Sequence, residues 1–313
     1  MTSSAIPKLS IVMPAYNHEK FVGEAVEGVL NQTFADFEFI IIDDGSKDST
    51  ADVIKSYQDA RIRYFYQENQ DAFNAINNGL TKAQGDFIAI LNSDDVYTSD
   101  RFDTLFEFQK KHNADCLFTD VYAIDDNSEA LNDPNFGWNQ WHQNNRQKYL
   151  DLDDLYAGFL HGNFMVTTSN LFIKSSLVKQ IGGFAPLRYL HDYDYIFRLM
   201  LASPKGCFYL SEQQLLKYRI HGNNTLSEGA ILAREQDQAV IREYMLSAIN
   251  SGASEELIRK RVETGLDRLI ALEHELLDVK AGLDAKNHSQ ENVKAHSTKL
   301  KNLAKKAVRR MKG

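Results

Sequence analysis

The chain has 313 residues, 43% of them apolar, which predicts a globular protein with room for one large domain and an appendage. Its net charge of −8 is uneven, because 16 Lys and Arg stand against 12 Asp and Glu from Ile231 onward, and the preceding body carries −12. An acidic body argues against nucleic-acid binding there, and a basic end suggests a separate task.

Strand and helix patterns alternate over the first ninety residues. Apolar strands are predicted at 9–14, 37–42, 61–66 and 87–91. Helices are predicted between them, around 21–30, from the turn after Ser46 to about Tyr57, and at 74–83. This alternation predicts an α/β fold with a mainly parallel sheet covered by helices on both faces.

The second half of this body continues with less regular patterns. A helix is predicted at 101–111 and a strand at 116–124. Residues 125–154 are polar, contain Trp138 and Trp141 and lack periodicity, so they are predicted to form a long functional loop. Strands are also predicted at 169–173, 207–210 and 215–218. A short helix is predicted to end at Gly182, and another helix is predicted at 191–200.

Polar or acidic residues directly follow each of the first four strands. They are Tyr16 and Asn17, Asp43 and Asp44, residues 67–70, and residues 92–95. Loops at the carboxyl ends of parallel strands meet at one crevice, so we expect these groups to share a site. The adjacent carboxylates of Asp94 and Asp95 predict a hard divalent cation that also holds a phosphate. The alternative is that this pair caps the next helix.

Six motifs stand in order along the chain, at 10–17, 32–34, 42–46, 91–95, 191–194 and 218–221. Together they resemble the family 2 glycosyltransferases of the GT-A fold. The resemblance covers roughly residues 8–225 and implies a Rossmann-like, mainly parallel sheet flanked by helices. It also implies inverting transfer of a sugar from a nucleotide donor, assisted by Mn²⁺ or Mg²⁺.

The resemblance implies roles for individual residues on the donor side. Asp44 matches the acid that accepts a hydrogen bond from a uracil or thymine ring N–H, and a turn with a helix cap is its alternative. Asp94 matches the metal-binding acid of the DxD motif, whereas Asn92 replaces its first acid. The full set predicted to bind the nucleotide sugar is Pro14, Tyr16, Asn17, Asp44, Gln70, Asn92, Ser93, Asp94, Asp95 and Arg219.

On the acceptor side, Asp192 matches the catalytic base of the family. Inversion needs a carboxylate that takes the proton of the attacking hydroxyl. A helix cap is the alternative role of Asp192, and Asp194 competes for the role of base. His221 is predicted to be a second metal ligand beside Asp94, and Arg219 is predicted to pair with a phosphate.

Beyond about residue 230 the strand patterns end, glycine is sparse and proline is absent. This change predicts two domains, a catalytic domain at 1–228 and a helical region at 229–313. Apolar residues from Val262 to Leu283 follow a near-heptad spacing, and eight Lys or Arg but no acidic residue follow Glu291. Three interpretations stay open. The region forms a coiled coil that joins copies, lies on an anionic membrane near a lipid-linked acceptor, or packs as a hairpin on the catalytic domain.

Two cysteines without paired spacing and no membrane-spanning or signal-like segment favour a cytoplasmic protein, with any membrane contact peripheral. We therefore predict a glycosyltransferase that moves a sugar from a UDP- or dTDP-sugar. The predicted acceptor is a saccharide or lipid-linked saccharide in surface polysaccharide or glycolipid synthesis. The alternatives are a nucleotidyltransferase and a sugar-nucleotide-binding scaffold with little catalytic activity.

Overall fold

The computed structural model describes residues 6–222 and 230–283. Of these, residues 6–139 with 165–221 form one compact unit, and residues 140–164 with 222 and 230–283 form another. The predicted domain boundary between 228 and 229 lies outside the described residues.

The first unit is built on a sheet of eight strands. They are β1 (Leu9–Ala15), β2 (Phe37–Asp43), β3 (Ile62–Tyr66), β4 (Phe87–Ile90), β5 (Val96–Tyr97), β6 (Cys116–Ile124), β7 (Phe172–Lys174) and β8 (Cys207–Arg219). Their order is β3-β2-β1-β4-β7-β6-β8-β5. Four neighbouring pairs are parallel and three are antiparallel, so the predicted mainly parallel sheet is confirmed.

Helices connect and flank these strands. They are α1 (Val22–Leu30), α2 (Thr50–Ser56), α3 (Ala72–Lys82), α4 (Arg101–His112), α5 (Gly137–Leu152), α6 (Leu155–His161), α7 (Ser175–Ile181), α8 (His191–Ala202), α9 (Ala230–Ile249) and α10 (Glu255–Leu283). The predicted elements of the first ninety residues are confirmed to within a few residues.

Strands β1 and β2 form the centre of the core and fix the place of the crevice. Every residue of both strands is buried, as expected for continuous apolar runs covered on both faces. Ala15 at the end of β1 pairs with Asp43 at the end of β2, and Val12 pairs with Ile90 at the end of β4. The loops after these three strands therefore leave the sheet side by side.

The prediction that 125–154 is a long loop is wrong, because α5 occupies Gly137–Leu152. The residues that this helix buries, His142 and Asn145, are polar. A helix without an apolar stripe leaves no periodic signal in the sequence.

Two strand predictions also need correction. The predicted strands at 207–210 and 215–218 are one strand, β8, whose register against β6 shifts beside Thr119 and Asp120. The predicted strand at 169–173 is a 3₁₀ turn, Thr168–Asn170, followed by the shorter β7. Polar residues at the shift and in the turn interrupt the apolar alternation that the prediction required.

In the second unit, α9 and α10 pack against each other, and α10 also packs against α6. The heptad-spaced residues Val262, Leu269, Leu272 and Leu276 are buried within this unit. The described part of this region therefore fits a helical hairpin. Residues 284–313, with the basic end predicted to contact a membrane, lie outside the described residues. Within the described parts of the chain, no helix combines the length and the apolar character needed to cross a bilayer.

Candidate active site

Hydrogen bonds join the loop after β1 to the loop after β2. Asn17 adopts a left-handed backbone conformation with φ of 51°, and its N–H donates to Ser46 Oγ at 3.1 Å. In return, Asn17 Oδ1 accepts the Lys47 N–H at 2.8 Å. The backbone N–H of His18 donates to Thr50 Oγ1 at 2.8 Å. These bonds fix the position of His18 at the end of the sheet.

His18, Asp94 and His221 form a cluster with metal-ligand geometry. One ligand atom of each residue lies within 4.8 Å of the other two. His221 Nε2 and Asp94 Oδ2 are 3.1 Å apart, and His18 Nδ1 lies 2.8 Å from the hydroxyl of buried Ser93. Burial disfavours a charged Asp94, but His18 and His221 outweigh it and lower the pKa of this carboxyl. Two imidazoles and a carboxylate suit a divalent ion such as Mn²⁺.

Asp95 points away from this cluster into the protein. Its carboxylate accepts the Ser169 hydroxyl at 2.6 Å, the Thr167 hydroxyl at 3.2 Å and the Arg219 backbone N–H at 3.0 Å. Burial, followed by the neighbouring Asp94, raises the pKa of Asp95. Through these contacts Asp95 anchors the Asp94 loop. Asp95 was predicted to bind the nucleotide sugar, and we now assign it this structural role instead.

Arg219 also supports the loop from within the protein. Its fully buried guanidinium donates to the Asp94 backbone oxygen at 2.9 Å, to the Asp125 backbone oxygen at 2.7 Å and to Glu24 Oε2 at 2.5 Å. These contacts occupy the guanidinium, so in place of the predicted pairing with a phosphate we assign Arg219 the structural role of supporting the Asp94 loop. The ion pair with Glu24 connects the Asp94 loop to α1.

The amide of Asn92 is held at both ends. Its Nδ2 donates to Thr167 Oγ1 at 3.0 Å, and its Oδ1 accepts the Thr168 hydroxyl at 3.0 Å. The backbone N–H of Asn92 donates to Ser169 Oγ at 2.9 Å. An uncharged residue at this position thus ties the loop after β4 to the 3₁₀ turn.

Asp44 directly follows β2, and its carboxylate is a hydrogen-bond acceptor separate from this cluster. Its Oδ1 accepts the Gln67 side-chain amide at 2.7 Å and the Gln70 backbone N–H at 2.9 Å. Burial raises the pKa of the Asp44 carboxyl, although both hydrogen bonds oppose the increase. Near the end of the adjoining strand β1 Pro14 is buried, whereas Tyr16, directly after that strand, is 40% exposed and available for stacking.

Asp192 lies in the first turn of α8 and is buried. Burial, then the charges of Asp95, Asp94 and Asp192, raise the pKa of the Tyr218 hydroxyl. Asp194, the competing base, instead accepts Arg198 Nε at 2.9 Å in an ion pair along α8. The structure thus brings Asp192 to the electrostatic neighbourhood of the Asp94 loop.

His18 was missed by the sequence analysis, although it stands in a loop predicted to line the site. A histidine directly after Tyr16 and Asn17 was the available signal. The two tryptophans differ in their surroundings: Trp138 stacks on Tyr218 with ring centroids 5.5 Å apart, and Trp141 lies in the second unit and is 41% exposed.

Comparisons with known sequences and structures identify the family and the fold of this chain. The family model for glycosyl transferase family 2 matches residues 10–174. An uncharacterized glycosyltransferase of Rickettsia typhi is 32% identical over 222 residues, which is 70% of this chain and 66% of that protein. Glycosyltransferase GlyG of Streptococcus pneumoniae is 36% identical over 121 residues, or 38% of this chain and 40% of GlyG. The chain thus spans just under two thirds of the Rickettsia relative.

Two solved structures share the fold. S. aureus TarS, crystallised with UDP-GlcNAc, has a TM-score of 0.63 and 19% identity, covering 84% of this chain and 71% of that one. The mannosyltransferase PcManGT of Pyrobaculum calidifontis, in complex with GDP-Man and Mn²⁺, has a TM-score of 0.59 and 14% identity, covering 97% and 87%. With a family model matching more than half its length and this architecture, the chain belongs to glycosyl transferase family 2 and has the GT-A fold.

Proposed function

We propose that this protein transfers a sugar, with inversion at the anomeric carbon, from a UDP- or dTDP-sugar to a hydroxyl of a saccharide or lipid-linked saccharide. The observation that carries the proposal is the cluster of His18, Asp94 and His221 at the strand ends that also present Asp44. Asp192, in the first turn of α8, supplies a candidate base.

On the donor side, Asp44 binds the base and Tyr16 offers a ring face beside it. The Asp44 carboxylate is fixed by Gln67 and Gln70, so it presents an oriented acceptor. The loop that carries Asn92, Ser93 and Asp94 then faces the diphosphate. Pro14, near the end of β1, and Asn17 and Gln70, in the loops after β1 and β3, shape this part of the crevice through their backbone conformations.

A divalent cation fits the cluster, and His18, Asp94 and His221 would hold it. Both imidazoles and the carboxylate are acceptable ligands for Mn²⁺, and the lowered pKa of Asp94 keeps that ligand charged. When bound, the ion neutralises the negative charge that develops on the leaving diphosphate. Mg²⁺ prefers all-oxygen shells, so this donor set favours Mn²⁺.

On the acceptor side, Asp192 takes the proton of the attacking hydroxyl. Its place in the first turn of α8 lets the helix N-terminus stabilise the carboxylate before transfer. Asp194, the competing residue in the same helix turn, is ion-paired with Arg198. The attacking oxygen displaces the diphosphate from the opposite face, and the configuration of the sugar inverts.

The test measures nucleotide release and product formation with a panel of nucleotide sugars and Mn²⁺, after a thermal-shift screen for the donor that stabilises the fold. Replacing Asp192 by Asn should lower kcat by roughly 10²- to 10⁴-fold, because that is the usual contribution of a general base. Donor affinity should stay within a few fold of the wild type, since Asp192 serves the acceptor.

Asp194→Asn is the matched control, in the same helix turn, and should retain most of the turnover. Full activity of Asp192→Asn, or loss of turnover confined to Asp194→Asn, would contradict the assignment. Donor binding without transfer to any acceptor would favour the scaffold, and nucleotidyl transfer from a nucleoside triphosphate would favour the nucleotidyltransferase.

A further inference from the structure

The Asp44 carboxylate is asymmetric in its contacts. Oδ1 accepts two hydrogen bonds, from Gln67 Nε2 at 2.7 Å and from the Gln70 N–H at 2.9 Å. A carboxylate oxygen offers two lone pairs, so Oδ1 is saturated. Within residues 6–222 and 230–283, no side chain or backbone N–H donates to Oδ2. Asp44 therefore presents a single open acceptor.

Asn78 fixes which end of the Gln67 amide faces Asp44. Asn78 Nδ2 donates to Gln67 Oε1 at 2.6 Å, so the amide nitrogen of Gln67 must point the other way, toward Asp44. Asn78 lies on α3 and Gln67 follows β3, so two elements outside the β2 loop set the orientation of the carboxylate.

We propose that Gln67 and Asn78 form a relay that makes the base site selective for uracil or thymine over guanine by leaving one acceptor oxygen on Asp44. This inference rests on the proposed function, in which Asp44 binds the nucleotide base. Gln67 and Asn78 are positioning residues, because they act through Asp44.

The selectivity follows from the hydrogen-bonding edges of the bases. Uracil and thymine present one imide N–H between two carbonyl oxygens, which matches one open acceptor. Guanine presents two adjacent donors, a ring N–H and an amino group, and these pair best with both oxygens of a carboxylate. With Oδ1 saturated, the second guanine donor loses its partner, and an unpaired buried donor is costly.

The experiment measures UDP, dTDP and GDP affinities by calorimetry with Mn²⁺ on the full chain. The wild type should bind UDP or dTDP at least roughly tenfold more tightly than GDP. Comparing dUDP with dTDP separates uracil from thymine, because both carry deoxyribose. Gln67→Met keeps the length of the side chain but removes its amide, so UDP affinity should fall and the preference over GDP should shrink, each by roughly tenfold.

A second variant, Asn78→Asp, tests the relay without touching Gln67. The new carboxylate attracts the Gln67 amide nitrogen, so that the amide turns its oxygen toward Asp44. UDP affinity should fall by a similar factor. Gln58→Ala, at an exposed glutamine whose amide donates to the Lys55 backbone oxygen, is the control and should leave all three affinities unchanged.

The pH dependence of UDP binding gives a readout that a merely structural role would not move. Binding needs ionised Asp44, so affinity is lost as pH falls through its pKa. The Gln67 hydrogen bond lowers that pKa, whereas burial and the facing Asp71 and Asp43 raise it. The loss should therefore begin at higher pH in both variants than in the wild type.

An unchanged preference over GDP and an unchanged pH profile in folded variants would overturn the relay, with the proposed function intact. A wild type that binds GDP as tightly as UDP would overturn the selectivity. A wild type that binds none of the three nucleotides would contradict the proposed function, and the relay with it.

Discussion

His18 owes its position to contacts with four other parts of the first unit. Its backbone is held by Thr50, its ring nitrogen lies beside Ser93, and its ring is edge-on to His221 at 5.7 Å. Phe21 packs near both imidazoles, with ring centroids 4.9 Å from His221 and 6.0 Å from His18. A ring held this way is preorganised, so a cation binds with little loss of side-chain entropy.

His18→Ala should weaken Mn²⁺ binding by roughly tenfold or more, because it removes one of three protein ligands and their mutual orientation. Calorimetry and the electron paramagnetic resonance spectrum of Mn²⁺, both without nucleotide, measure the effect. His112→Ala removes an exposed histidine and serves as the control. Equal Mn²⁺ affinity in the wild type and His18→Ala would show that His18 is no ligand.

Asp44, Asp94 and Asp192 could be proposed as site residues from the sequence because a motif carries each of them. His18 could not, because a histidine in a polar loop has no distinguishing pattern until its neighbours are known. The prediction that Arg219 pairs with a phosphate was revised for another reason. Its sequence context shows a cation near acidic loops, but only the fold shows that its partners are Glu24 and backbone oxygens.

At the scale of elements, the 3₁₀ turn Thr168–Asn170 connects the Asp94 loop to the core. Ser169 bonds both Asn92 and Asp95, and Asn170 bonds the backbone of Thr119 in β6. Fully buried Arg101 in α4 donates to the Asn170 backbone oxygen at 2.9 Å. The turn thus carries polar contacts from α4 and β6 to the candidate metal loop.

Asn170→Ala should lower the free energy of unfolding by about 2–4 kcal/mol, since it leaves the Thr119 N–H and carbonyl without these partners in a buried place. Urea denaturation measures the change. Asn127→Ala, at an exposed asparagine, should stay within about 0.5 kcal/mol of the wild type. If the free energy of unfolding falls no more in Asn170→Ala than in this control, the hydrogen bonds of the turn do not stabilise the fold.

Elements with a strong apolar period were predictable, and elements without one were not. β1, β2 and β4 bury every residue, and their continuous apolar runs mark them in the sequence. α5 buries polar His142 and Asn145 and has no such mark. β8 was predicted in two pieces because the register shift near Thr119 interrupts its pattern.

On the scale of the whole chain, the burial of the heptad-spaced residues in the second unit distinguishes packing within one chain from self-association between copies. Leu272 is fully buried, and Val262, Leu269 and Leu276 are nearly so. Tyr156 of α6 donates to the Tyr244 backbone oxygen at 2.7 Å, and Arg261 pairs with Asp154 at 3.1 Å. The described apolar seam is therefore already covered by α6 and α9 of its own chain.

Leu272→Ala should destabilise the protein by about 2–5 kcal/mol, because it opens a cavity between helices of one chain. An internal seam unfolds at the same urea concentration whatever the protein concentration, whereas a seam between copies becomes more stable as protein is added. Denaturation of both proteins at two concentrations a hundredfold apart measures this. Leu232→Ala, at a leucine that is 48% exposed in α9, is the control. A midpoint that rises with wild-type concentration, and loses that rise in Leu272→Ala, would instead assign the seam to a coiled coil between copies.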